Sequence, residues 1–68
     1  MSFKDQIREH LCCEGYMTPA VAIIVFGRTN GLAARIADLR REGYSIETQV
    51  REDAMGRSYP KYVLKGTP

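Results

Sequence analysis

The side chains best suited to recognition chemistry are Arg28, Thr29, Asn30, Ala34, Arg35, Asp38 and Arg41 in one stretch, with Arg51, Arg57 and Lys61 further on. An asparagine amide can pair with adenine, a guanidinium with guanine and a threonine hydroxyl with either base type, while arginine and lysine also neutralise phosphates. A small residue such as Ala34 lets a backbone come close. Bond-breaking chemistry finds no comparable support. Carboxylates are plentiful, but none sits at a motif spacing, and neither a paired nucleophile nor a glycine-rich phosphate loop occurs. Cys12 and Cys13 are adjacent, which is neither a CxxC redox pair nor a zinc-ligand spacing, and the only histidine, His10, has no partner visible in the sequence. No catalytic residue, metal or cofactor is expected.

The charge balance has the same asymmetry. Residues 1–27 hold two basic and three acidic groups, whereas residues 28–68 hold eight basic and five acidic ones, giving a formal net charge of +2. The excess lies where the recognition residues lie. It suits phosphate contacts, although arginine-rich surfaces without nucleic acid are also common. A chain of 68 residues buries only about 60% of its unfolded surface, so one domain with one small core is expected, with residues 65–68 as a frayed tail. The longest apolar run, residues 20–26, is too short to cross a bilayer, and adjacent free cysteines suit a reducing compartment. A soluble, cytoplasmic protein is the resulting expectation. One cysteine should pack as a small hydrophobe while the other, about 100° round the helix, lies nearer solvent.

The element that must position the recognition residues spans residues 29–43. Leu32, Ile36 and Leu39 recur at i, i+4 and i+7, which stacks them on one side of a helix of about four turns, and Ala33 broadens that stripe. Asn30, Ala34, Ala37 and Arg41 fall on the opposite side, with Arg35 and Asp38 on the flanks. Thr29 is placed to cap the first turn, Gly43 to end the helix in a left-handed conformation, and Arg40 and Arg41 to face the last carbonyls. Arg35 can cover the core edge with its stem while its head pairs with Glu42 or a phosphate.

The preceding residues form two shorter helices. Ser2 and Asp5 make a capping-box variant that opens a helix running to about Glu14, stopped by Gly15. Tyr16 and Met17 form a short extended segment. Thr18 and Pro19 then supply the cap and first residue of a helix over residues 19–26, in which Val21, Ile24 and Val25 or Phe26 should face the core. Its consecutive β-branched residues make a strand over residues 22–26 the alternative. After Gly43 the period changes to two. Ile46, Thr48 and Val50 share one face of a strand over residues 44–51, and residues 58–64 return, with Pro60 marking an edge strand. Three helices followed by a hairpin make an α+β winged helix-turn-helix, with residues 51–58 as the wing. The expected core is Ile7, Leu11, Val21, Ile24, Leu32, Ile36, Leu39, Ile46, Val50, Tyr62 and Leu64.

From Phe26-Gly27 through Leu32-Ala33-Ala34-Arg35-Ile36, Asp38-Leu39-Arg40 and Gly43-Tyr44, and on into Arg57-Ser58-Tyr59-Pro60-Lys61-Tyr62-Val63-Leu64, the chain resembles the small winged helix-turn-helix domains of bacteriophage and prophage proteins. The resemblance spans roughly residues 5–64. It implies double-stranded DNA as the partner, with the exposed side of the third helix toward the duplex, in a bacterial host cell. Where that family usually carries a basic residue before the leucine matching Leu32, this chain has Gly31, which leaves Arg28 as the nearest substitute. Arg51, Arg57 and Lys61 would bracket the helix from the wing, Arg57 foremost because neither pairing nor packing needs an arginine after Gly56. A repressor or an excisionase-like architectural factor is expected, and because one helix and wing cover little duplex, so is a homodimer or side-by-side copies, with Tyr59 and Val63 as contacts. The rival reading is a module that binds a host protein, favoured by Glu47, Glu52 and Asp53 near the wing.

Overall fold

The computed structural model describes residues 2–68 as three helices and three strands: α1 (Phe3–Glu14), β1 (Tyr16–Met17), α2 (Pro19–Phe26), α3 (Leu32–Arg41), β2 (Ser45–Glu52) and β3 (Ser58–Gly66). The expected winged helix-turn-helix is therefore the architecture. Each of the first two helices starts and stops on the residues placed to do so. Ser2 Oγ accepts from the Asp5 amide at 3.2 Å, and Thr18 Oγ1 accepts from the Val21 amide at 3.1 Å with Pro19 opening the helix behind it. Gly15 and Gly27 end α1 and α2 in the left-handed region, with φ of 83° and 74°.

α3 differs at its start. Its N-cap is Gly31, at φ +86°, with no side-chain cap; Thr29, expected to cap the helix, and Asn30, expected on its outer side, lie in the turn before it. With Gly31 in the left-handed region at the N-cap, Thr29 meets the helix through its carbonyl, which accepts from the Leu32 amide at 3.0 Å, and not through its hydroxyl, so the helix has 10 residues rather than about four turns. Its end follows expectation. Gly43 donates to the Arg40 carbonyl and Tyr44 to the Leu39 carbonyl, the paired bonds of a Schellman motif with the glycine at φ +106°.

The sheet order is β1-β3-β2, all antiparallel, so β3 is central and not the edge strand that Pro60 suggested. The reconciliation lies in the register. Leu64 donates to the Gly15 carbonyl and Met17 sits opposite Tyr62, so the next pair along this side of the ladder is Pro19 with Pro60. Neither has an amide to give. The β1–β3 ladder stops after two residues because both strands reach proline together, and Pro60 lies on a locally open edge. Val63, expected on an open flank, is paired with Tyr16.

The core consists of Ile7, Leu11, Met17, Ala22, Leu32, Ile36, Leu39, Ile46 and Tyr62, with Phe3, Val21, Phe26, Tyr44 and Leu64 packed half-buried against it. Two expected members are absent. Ile24 is 83% exposed and Val50 74% exposed. α2 turns Ala22 inward, which lets the helix approach the sheet closely and rotates Ile24 to solvent; Val50 lies where the hairpin has outrun the helical layer, in a molecule 36 Å long but only 23 and 20 Å across. Ala33 is likewise exposed and does not widen the α3 stripe. Both cysteines are exposed, because the buried stripe of α1 is only as wide as Ile7 and Leu11. His10 packs its ring edge-on to Phe26 and Tyr16, at 6.1 and 6.4 Å between centroids, with Nε2 buried and unpartnered among the described residues. That is a packing role.

Two long-range polar contacts bind the layers. Arg40 reaches from α3 to β2, donating through Nε and Nη2 to the Ile46 carbonyl at 3.0 and 2.8 Å and to Thr48 Oγ1 at 2.7 Å. Lys4 of α1 pairs with Glu42 at 2.5 Å, a contact that raises the lysine above its ordinary value.

Truncation of Ile36, 1% exposed, to alanine is expected to cost about 2–5 kcal/mol, through lost transfer energy plus a cavity. Ile24→Ala should stay within about 0.5 kcal/mol, as for a surface site; urea unfolding of both variants measures the contrast. Arg40→Ala should lose about 1–2 kcal/mol in the same assay because its charge-assisted bonds have no substitute, whereas Arg57→Ala should match wild type. Hydrogen bonding from Ser2, with Arg8 at 3.1 Å adding to it, holds the Asp5 carboxyl below its ordinary 3.8. A depressed value stabilises the fold above the unfolded-state value and ceases to as pH falls through the folded one. Acid unfolding below about pH 4 should therefore be shallower in Ser2→Ala.

Candidate nucleic-acid interface

The solvent face of α3 is built from small residues. Leu32, Ile36 and Leu39 face the core, which leaves Ala33, Ala34 and Ala37 exposed with Arg40 and Arg41 beyond them. Alanine at three outward positions costs the helix nothing in side-chain entropy and leaves its backbone open to close approach by a groove wall or another surface. Ala34 sits in the middle of that face as expected.

Asp38 is the electrostatic centre of the helix. Arg35 pairs with it at 3.0 Å and Arg41 pairs with it from the next turn, so one carboxylate holds two guanidinium groups on the flank of the alanine face. Arg35 does not take Glu42, which is occupied by Lys4. Its Nε is buried without a partner among the described residues while the head group remains partly exposed, which fits a stem laid along the core edge. Asp38 is thereby committed to positioning arginines, and one negative charge against two leaves the cluster cationic.

The turn before α3 carries its own arrangement. Arg28 stacks its guanidinium 4.3 Å from the Phe3 ring centroid and donates to the Asn30 carbonyl at 3.0 Å. The cation is held against α1, and its bond to Asn30 braces the Thr29-Asn30-Gly31 reversal. Asn30 is exposed and Thr29 half-buried, at the N-terminal mouth of α3.

The wing is organised by Asp53. Its carboxylate oxygen accepts from the amides of Met55 and Arg57, each at 2.9 Å, while its own amide donates to the Arg57 carbonyl at 2.9 Å. Its acid group thus closes the loop with its own hydrogen bonds. The Arg57 guanidinium projects from that loop with no ion pair among the described residues. Arg51 donates to Gln49 at 2.5 Å on β2, and Glu47 is matched by Lys65 at 3.5 Å. Lys61 lies 5.0 Å from the Tyr16 ring centroid.

Not all of the candidates converge. Arg57 and Lys61 share a groove between the wing and the start of α2, together with Asp53, Tyr16 and Tyr59, and no α3 residue lines it. Arg35, Asp38 and Arg41 form the other group, on the helix itself. The sequence reading named Tyr59 only as a contact between copies and gave Tyr16 no role beside Arg57 and Lys61, and it placed Arg40 on the helix end without its link to β2. Arg40 directly follows buried Leu39, and a strand with a two-residue period follows immediately, so a helix flank facing that strand was the available signal. For the tyrosines the signal was weaker, because it required the register of β1 on β3.

No curated protein and no solved structure matches the chain. Residues 2–66 do match a family of known domains, nearly the whole length, and the match agrees with the order of elements and with an outward third helix beside a hairpin. Such domains are generally associated with DNA binding and regulation rather than catalysis, and on this match the chain belongs to the winged helix-turn-helix domain family.

Proposed function

We propose that this domain binds double-stranded DNA with sequence preference and acts as a regulator, with α3 in the major groove and the wing against neighbouring backbone. The observation that carries the reading is the exposed alanine face of α3 flanked by the Arg35-Asp38-Arg41 cluster. A helix of this kind fits a groove about 12 Å wide, and its small residues let the axis approach the base edges. Asn30, Thr29, Ala34 and Arg41 are the residues assigned to base edges or adjoining sugars. Arg28, Arg35, Arg51, Arg57 and Lys61 are assigned to phosphates, with Asp38 orienting two of the arginines rather than meeting DNA directly.

A transcriptional repressor or an excisionase-like architectural factor fits this size and shape, and the resemblance to phage and prophage domains supports that role. One observation favours the rival, a host-protein binder: the wing's formal charges cancel, Arg51 and Arg57 against Glu52 and Asp53. Cancellation is weaker than the count suggests, because the Asp53 carboxylate is taken up by amides of its own loop while Arg57 is exposed and in no ion pair among the described residues.

Selection from random duplexes followed by titration at two salt concentrations tests the proposal. An enriched sequence is expected. Arg57→Ala should weaken binding to every duplex and lower the salt slope by about one unit, since a phosphate contact releases a counterion and reads no base. Asn30→Ala should instead lose about 1–3 kcal/mol of discrimination at one base pair. No enrichment, together with affinity weaker than about 10⁻⁴ M at physiological salt, would reassign α3 and the wing to a protein partner.

A further inference from the structure

The groove between the start of α2 and the wing exists because β1 ends early. β1 pairs with β3 only as far as Met17 opposite Tyr62, and the chain then leaves the sheet as α2, while the hairpin runs on past the helical layer. The space between them measures about 930 Å³ and is open to solvent, near the upper end of the ~300–1,000 Å³ of ligand-binding clefts. Its two walls differ in kind. Pro19, Ala20 and Ile23 make one, uncharged and with Ile23 57% exposed, while Arg57, Tyr59 and Lys61 make the other.

The charge on the second wall is unmatched. Among the described residues every lysine and arginine but two brings its side chain to an oxygen, in an ion pair or a hydrogen bond. The two without one are Arg57 and Lys61, and both line this groove. Lys61 rests only on the Tyr16 ring, 5.0 Å from its centroid. Asp53 stands beside them, but its carboxylate is engaged by the amides of Met55 and Arg57, and one negative charge against two leaves the wall cationic.

From these two walls we infer that the groove docks a short acidic peptide segment of a partner protein, which lays a large apolar side chain on the α2 wall and presents flanking carboxylates to Arg57 and Lys61. Chemistry selects this occupant over others that carry negative charge. A small anion would satisfy the cations and leave Ile23 and its neighbours in water, and a sugar-phosphate backbone would do the same. A peptide that sets an apolar side chain between two carboxylates covers both walls at once, and the opposed character of the walls fixes how it lies. No α3 residue lines the groove, so the docked peptide leaves the helix face free. Where a duplex places phosphates on Arg57 and Lys61, the peptide competes for the same cations and weakens DNA binding. That consequence rests on the DNA-binding reading; the docking does not.

Capped pentapeptides with glutamates flanking a central phenylalanine, leucine or isoleucine, titrated into the protein and followed through its amide spectra, test the docking without DNA. Shifts at Ile23, Arg57, Tyr59 and Lys61 are expected, with a dissociation constant of about 0.1–1 mM. Exchanging the glutamates for lysines, or the central residue for alanine, should each weaken binding about tenfold, through lost charge-assisted bonds or lost apolar burial. Ile23→Ser should keep the wild-type thermal melt and duplex affinity and bind the peptides about tenfold more weakly. Arg57→Gln should show a similar loss for the peptides. Peptide at saturation should weaken duplex binding by wild type. Absence of shifts with all three peptides, shifts that map to α3, or an equal response to the lysine peptides would overturn the proposal. So would oligothymidylate that binds at these residues more tightly than any of the peptides, which would give the groove to single-stranded nucleic acid. Peptide shifts in a protein that binds no duplex would uphold the docking and remove only the DNA reading.

Discussion

The seam between α1 and α3 is the contact on which the outward surfaces depend. Ile7 and Leu11 of α1 and Ile36 and Leu39 of α3 are all fully buried in one cluster, to which Met17, Ala22, Ile46 and Tyr62 each bring one side chain from a different element. A domain this small has no second core to compensate for damage to the first. The α3 residues that reach solvent do so because their neighbours at three and four positions are fixed inward, so the alanine face and the core stripe are two consequences of one helical phase. Arg40 extends the same logic. By spending a guanidinium on the Ile46 carbonyl and Thr48, it sets the direction in which β2 leaves the helical layer, and the wing inherits that direction.

Much of this was legible because the signals were local. Ser2, Thr18-Pro19, Gly15 and Gly27 act within four residues of their own positions, and each does in the fold what its type predicts. The change from helical to strand period after Gly43 also needs no tertiary knowledge. Errors fell where the outcome is set by a distant partner. Ile24 and Ala22 are both apolar and two residues apart, and only the closeness of α2 to the sheet decides that the smaller one faces inward. Val50 has the right parity for burial but lies beyond the reach of the helices. Pro60 was read correctly for its missing amide and wrongly for its place in the sheet, because the strand on its far side is only two residues long and its end coincides with Pro19.

The candidate site divides along the same line. The membership of the Arg35, Asp38 and Arg41 group was readable from three-residue spacings on one helix, but which carboxylate would hold Arg35 was not, since the competing claim of Lys4 on Glu42 comes from 38 residues away. The Thr29-Asn30-Gly31 turn was the least readable part. A threonine before a helix is a good cap only if the backbone brings its hydroxyl to the second or third amide, and Gly31 in the left-handed region withdraws it. The same geometry leaves the Asn30 side chain outside the helix at its mouth, where donors of the first turn also point.

Charge distribution gives the last step. Most ionic groups here are spent internally: Lys4 on Glu42, Arg8 on Asp5, Arg35 and Arg41 on Asp38, Lys65 on Glu47, and Arg40 on a backbone carbonyl. Arg57, at the far end of the wing, has its backbone held by Asp53 and its guanidinium in no ion pair among the described residues. α2 is the opposite case, with no charge anywhere and a face of isoleucines uncovered. A surface that pairs most of its ions while leaving the Arg57 cation and one apolar stripe open offers two attachments of different physics. The first acts at a distance and weakens with salt. The second acts only on contact and is insensitive to moderate salt, so the two can be separated by ionic strength in one preparation.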